Sequence, residues 1–157
     1  MLYEIDDEVL INYAKAITKP QLLSDEQIYE LIKRVLDKEK ELINKIKSYE
    51  KVLIYGAGRV GRWLCDYIVK RGYNGDIMFM SSFIEPNYTA CGKKVRSILS
   101  CVKYKDDALV LIANKNSADQ MEENAHKHLF KNVEKIPYEE LMLFGADLKE
   151  DSYITIY

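Results

Sequence analysis

The spacing of apolar residues along this chain changes character near residue 50, and the change separates two kinds of structure. Before it, the period is helical. Ile28, Leu31, Ile32, Val35, Leu36, Leu42, Ile43 and Ile46 recur at three- and four-residue intervals, interrupted for one turn by Lys38-Glu-Lys-Glu41. Ser24 followed three residues later by Gln27 has the spacing of a capping box, so the pattern predicts a helix from about 24 to 48. A shorter helix is expected from Asp6 to Thr18, stopping before Pro20, whose ring restricts the residue ahead of it.

Beyond Glu50 the apolar residues gather into short continuous runs, as in strands buried on both faces. Lys51-Val-Leu-Ile-Tyr55 is the first, Asp76-Ile-Met-Phe-Met80 the second, and Lys94-Val95 marks a short third. Ala108-Leu-Val-Leu-Ile-Ala113 is the clearest, and Asn132-Val-Glu-Lys-Ile136 closes the series before Pro137. Helical segments lie between them. One runs through Trp63, Leu64, Tyr67, Ile68 and Val69 and ends at Gly72 and Asn74-Gly75. Another opens at Ser117, with Gln120 again at capping-box spacing, and reaches Leu129. Strands alternating with helices predict an α/β fold: a Rossmann-like parallel sheet with helices on both faces. The expected organisation is a helical extension over 1–50 and the α/β domain over 51–157.

The first strand and helix are joined by Gly56-Ala57-Gly58-Arg59-Val60-Gly61, a G-x-G-x-x-G string. In a nucleotide-binding turn the first glycine permits the tight bend, the second lets the backbone approach a pyrophosphate, and the third allows close helix–strand packing. The phosphate then meets the unpaired N–H groups and the positive end of the helix dipole. The string alone is weak. Its position between a strand and a helix, inside a unit of about 30 residues, is the context the motif requires.

These residues, with Cys91-Gly-Lys-Lys-Val95 and Leu109-Val-Leu-Ile-Ala113, resemble the small Rossmann domains attached to bacterial surface-sugar enzymes. Among these are the nucleotide-sugar-binding domains of sugar acyltransferases and the dinucleotide domains of nucleotide-sugar epimerases and dehydratases. The resemblance covers about 51–137 and implies a nucleotide-type small molecule, NAD(P) or a nucleotide-sugar, as ligand. It also implies an accessory or regulatory role in surface-polysaccharide metabolism. One position departs from the pattern. Dinucleotide binders place a carboxylate for the ribose hydroxyls about twenty residues past the loop, where this chain has Ser81 and Ser82. Glu85 follows on a loop, and Asp76 stands at the wrong end of the strand. Without that carboxylate NAD is not specified, and no arginine follows to favour NADP. Arg59 and Arg62 are candidates for pairing with a diphosphate. Asn114, Lys115 and Asn116 follow the fourth strand at the edge where open α/β sheets bind ligands.

Charge adds to this picture unevenly. Residues 1–50 carry a net −3, residues 51–107 a net +5 and residues 108–157 a net −4. The positive segment holds the glycine loop, which favours an anionic small molecule; it lacks the clustered basic runs of a nucleic-acid binder. The apolar runs are far shorter than the ~20 residues of a membrane span, and the acidic start gives no signal or transit peptide. Three scattered cysteines, Cys65, Cys91 and Cys101, fit a cytoplasmic protein and argue against a zinc site or disulfide framework. Cys65 is expected as a small buried side chain.

Other chemistry is thin. Tyr29 and Lys33 have the Tyr-x-x-x-Lys spacing of short-chain dehydrogenases but precede the glycine loop, so the spacing is coincidental. His126 and His128 point to different sides of one helix and do not share a metal. No catalytic residue can be assigned. Two further readings stand beside the binding module: a fragment of an NAD(P)-dependent oxidoreductase or epimerase, and a degenerate Rossmann scaffold that senses or interacts without a nucleotide. Finally, the 24–48 helix shows two adjoining apolar rows, more than one sheet covers, and this predicts a homodimer through residues 1–50.

Overall fold

A computed structural model of the chain describes residues 24–84, 86–137 and 141. The helix expected before Pro20, and Glu85, lie outside these residues. The chain divides into two compact units, one of residues 44–138 and the other of 1–43 with 139–157. The division falls inside a helix.

In the second of these units, helix α1 (Asp25–Lys47) begins as its sequence requires. The Gln27 amide N–H donates to Ser24 Oγ at 3.1 Å, and the Ser24 N–H donates back to Gln27 Oε1 at 2.9 Å. Both halves of the capping box are made, and Asp25 and Glu26 complement the dipole in the first turn. Ile32, Val35, Leu42 and Ile43 are buried.

Unit 44–138 is an α/β layer structure. Its elements are β1 (Lys51–Tyr55), α2 (Arg59–Lys70), β2 (Asp76–Ser81), β3 (Thr89–Ala90), β4 (Lys93–Ser97), α3 (Ile98–Cys101), β5 (Leu109–Ile112), α4 (Ala118–Lys127) and β6 (Asn132–Lys135). A 3₁₀ turn, Val102–Tyr104, follows α3. The sheet order is β3-β4-β2-β1-β5-β6, parallel throughout except for the antiparallel β3–β4 pair. The chain builds outward from β1 through β2 to β4, then returns to the other side of β1 to place β5 and β6. That reversal makes the boundary between β1 and β5 the topological switch point.

Both faces are covered, which explains why β1 and β5 are apolar without alternation. Leu53 and Tyr55 pack with Met80, Val110 and Ile112 beneath Ile98, Cys101, Ala125 and Phe130. Ile54 faces the opposite side, under α2, which buries Leu64, Cys65, Tyr67 and Ile68.

Two elements escaped the sequence pattern. The hairpin β3–β4 has a two-residue strand on one arm, and α3 is a single turn, both too short for a period to register. Ser97 caps α3 by accepting from the Ser100 N–H at 3.1 Å. The capping box expected at Ser117 does not form, because no side chain caps α4 from that position. Asn114 folds the turn ahead of the helix, its Oδ1 accepting from Asn116 N–H at 2.9 Å and Ser117 N–H at 2.7 Å. Among the described residues, no helix is long and apolar enough to cross a membrane.

Candidate functional site

The carboxyl ends of β1, β2 and β5 lie side by side, and the glycine string leaves the central one. β1 runs into the loop without a break in pairing: the Gly56 N–H donates to the Met80 carbonyl and the Ala113 N–H to the Tyr55 carbonyl, each at 2.9 Å. The three glycines then differ sharply in what confines them. Gly56 has φ +116°, and a Cβ there would stand 2.7 Å from the Ala113 carbonyl oxygen. At Gly61 a Cβ would fall inside the Gly56 carbonyl oxygen, so this residue is what lets α2 lie close on β1. Gly58 has an ordinary extended backbone, φ −82°, and nothing lies within 4 Å of where its Cβ would be. The fold therefore demands glycine at 56 and 61 but not at 58.

Gly58 is also the N-cap of α2, and no side chain caps that end. The first helical bond runs from the Arg62 N–H to the Gly58 carbonyl at 3.0 Å, leaving the N–H groups of the preceding turn without intrahelical acceptors. The first turn contains no acidic residue; it contains Arg59 and Arg62, both exposed. Cations there oppose the helix dipole, so an anion over the loop would relieve two unfavourable terms together. Arg62 lies back along the turn, its Nε 3.4 Å from the Gly58 carbonyl.

The remaining predicted residues are near the same edge but differently employed. Ala57 is buried and Val60 half-buried. Ser81 is absorbed in a local turn, its Oγ donating to the Phe83 carbonyl at 2.8 Å and accepting from the Phe83 N–H at 3.1 Å. Ser82 hydrogen-bonds the buried Tyr55 hydroxyl, and Asn124 on α4 donates its Nδ2 to that hydroxyl at 2.7 Å and to Ser82 Oγ at 3.3 Å. This Tyr55–Ser82–Asn124 group ties β1, β2 and α4 at the switch point. Sequence reasoning missed Tyr55 and Asn124. The available signal was a tyrosine ending an otherwise aliphatic strand, since a buried phenol needs a partner. Phe83, 72% exposed, follows Ser82 on the same edge. Asn114 is spent on the turn into α4.

Asp76 is confirmed at the opposite edge. It pairs there with Lys51, whose ammonium also sits 4.5 Å above the Tyr104 ring. Four of the positive segment's ten cations, Lys51, Lys93, Lys94 and Arg96, border an open groove of about 300 Å³ together with Asp76. Arg59 and Arg62 are the cations within the glycine loop and the first turn that follows it. Among the described residues no group of three or more metal-ligating side chains occurs.

Compared with known proteins, the chain matches no family model, and no curated protein is significantly similar to it.

Proposed function

We propose that unit 44–138 is a cytoplasmic binding module that takes a phosphate-bearing nucleotide, NAD(P) or a nucleotide-sugar, over Gly56–Gly61. The observation that carries this reading is Gly58. It is a glycine that neither backbone conformation nor packing requires. It stands at an uncapped helix N-terminus, beside the switch point where open α/β sheets bind ligands. A glycine there has a function in receiving something from outside, and the chemistry presented is anion-binding. Phe83 offers an exposed ring on the same edge for a base, a contact worth about 1–3 kcal/mol where it forms. The ribose end has no carboxylate; it presents Ser82, held by Tyr55 and Asn124, so the sugar is met by hydroxyl and amide groups. The resemblance to surface-sugar enzymes supplies the pathway, an accessory or regulatory role.

A second reading, a scaffold that binds no nucleotide, is favoured by one observation: Ser81 and Asn114 spend their polar groups on local turns. Thermal shift against NAD, NADP, UDP-sugars and inorganic pyrophosphate separates the two. A ligand at a hundred times its Kd adds about 2.7 kcal/mol of stability, and a melting point unmoved by every compound favours the scaffold. The homodimer through residues 1–50 belongs to the same proposal, on a narrower basis than the sequence offered. Ile32, Val35, Leu42 and Ile43 are already buried within one chain, so a partner would have to use other residues of that segment. Light scattering at tens of micromolar decides it, a dimeric mass supporting the assembly and a monomeric one removing it.

A further inference from the structure

The fold brings together two cysteines that lie far apart in the sequence. Cys91 and Gly92 are the two loop residues of the β3–β4 hairpin, where Thr89 pairs with Lys94 and Ala90 with Lys93. Both have positive φ, +50° and +72°, as a two-residue hairpin of the I′ type requires. The first position of such a turn favours asparagine or glycine, and a cysteine there is held in a backbone region its side chain disfavours. That conformation directs its thiol onto helix α2. Cys91 Sγ lies 3.8 Å from the Arg62 carbonyl oxygen, and Cys65, three residues further along the same helix, has Cys91 as the neighbouring thiol that acts on its own thiol group. Cys91 is exposed and Cys65 is buried, and both are free thiols.

We propose that Cys65 and Cys91 form a redox-modification site, a dithiol that hydrogen peroxide or a low-molecular-weight disulfide closes into an intrachain disulfide. The exposed Cys91 reacts first. Its thiolate attacks one peroxide oxygen, the O–O bond breaks, and the departing hydroxide is protonated to water, leaving a sulfenic acid. Cys65 then releases its proton to solvent and attacks the Cys91 sulfur. The S–S bond forms, the S–O bond breaks, and a second water leaves. Two thiols are oxidised and one peroxide is reduced to two waters. With a small disulfide the same sequence passes through a mixed disulfide and releases two small thiols. Burial, followed by the neighbouring Cys91, pushes the Cys65 thiol up to about 11, against the opposing pull of Lys93. Held protonated at neutral pH, Cys65 is the poorer first nucleophile, which leaves the exposed Cys91 as the attacked cysteine and Cys65 as the resolving one. The bond would fasten the hairpin turn to the helix that begins at Gly58. The inference is independent of nucleotide binding.

The test is mass spectrometry of the reduced full chain after exposure to hydrogen peroxide or oxidised glutathione under native conditions, with free thiols alkylated in denaturant. The expected product is a chain lighter by two hydrogen atoms, with a Cys65–Cys91 linked peptide pair, an alkylated Cys101, and full reversal by a dithiol reductant. Cys91→Asn, which suits the turn, should keep the melting point and abolish the linkage. The proposal is overturned if Cys91 ends as a sulfinic acid or a glutathione adduct with Cys65 still free. A Cys91–Cys91 bond between two chains, or thiols that react only after denaturation, overturns it equally.

Discussion

Single residues decide whether the glycine loop belongs to the fold or to a ligand. Alanine normally stabilises a helix interior relative to glycine by up to about 1 kcal/mol. At Gly61 the sign should reverse, because a methyl group there would occupy the Gly56 carbonyl oxygen and force α2 away from β1. We expect Gly61→Ala to lose about 3 kcal/mol, read from urea unfolding; a neutral or stabilising result would mean that the helix does not sit as described. A second residue-scale effect concerns alkaline pH. Desolvation by burial raises the Cys65 thiol from 9.0 to about 11 and raises Cys101 and Tyr73 in the same direction. Such groups hold their protons more tightly folded than unfolded: the Cys65 contribution is complete below pH 9.0 and is lost as pH rises through about 11. Those of Cys101 and Tyr73 are lost in the same direction as pH rises above their ordinary values. Unfolding midpoints measured under reductant should fall through that window. Cys65→Ala should flatten the fall while leaving the part due to Cys101 and Tyr73; an unchanged slope would contradict the burial of this thiol. The sequence made the glycines legible because a turn motif is local. It hid the Tyr55–Ser82–Asn124 group and the Cys65–Cys91 contact, because each joins residues that only the tertiary fold brings together.

At the scale of elements, what was legible followed length. The five longer strands and the helices α1, α2 and α4 carry enough turns or apolar residues to show a pattern, whereas β3 and α3 do not. Capping was legible in part. Ser24 and Gln27 form the expected reciprocal pair, but Ser117 makes no side-chain cap, and Asn114 bonds two N–H groups of the turn that precedes α4. The end of α4 was unforeseen in kind. Leu129, 66% exposed, occupies the left-handed position with φ +69°, and the Phe130 N–H closes the helix onto the Ala125 carbonyl at 3.2 Å. Glycine is the usual residue at this point of such a closure. A β-carbon there costs about 1 kcal/mol, and an exposed leucine returns little by burial. Leu129→Gly should therefore raise stability by roughly that amount, measured by denaturant midpoint. A loss of stability would show that the side chain is packed.

For the whole molecule, the order β3-β4-β2-β1-β5-β6 determines which residues share an edge. The alternation of elements indicated a parallel sheet, but the order in which strands pair depends on which edge each crossover returns to, which leaves no mark on residue spacing. Once that order is known, the carboxyl ends of β1, β2 and β5 become one surface, with the glycine loop at its centre and the Lys51–Arg96 groove at the far edge. The central claim is that this surface receives a phosphate-bearing ligand at Gly58, and calorimetry on Gly58→Val tests it most directly. The variant should fold cooperatively with at most a small loss of stability, about 1 kcal/mol for a poorer N-cap, since nothing lies within 4 Å of the added Cβ. It should lose at least tenfold in affinity, about 1.4 kcal/mol, for whichever nucleotide the wild-type chain binds. A folded variant that binds that nucleotide as tightly as the wild type would contradict it.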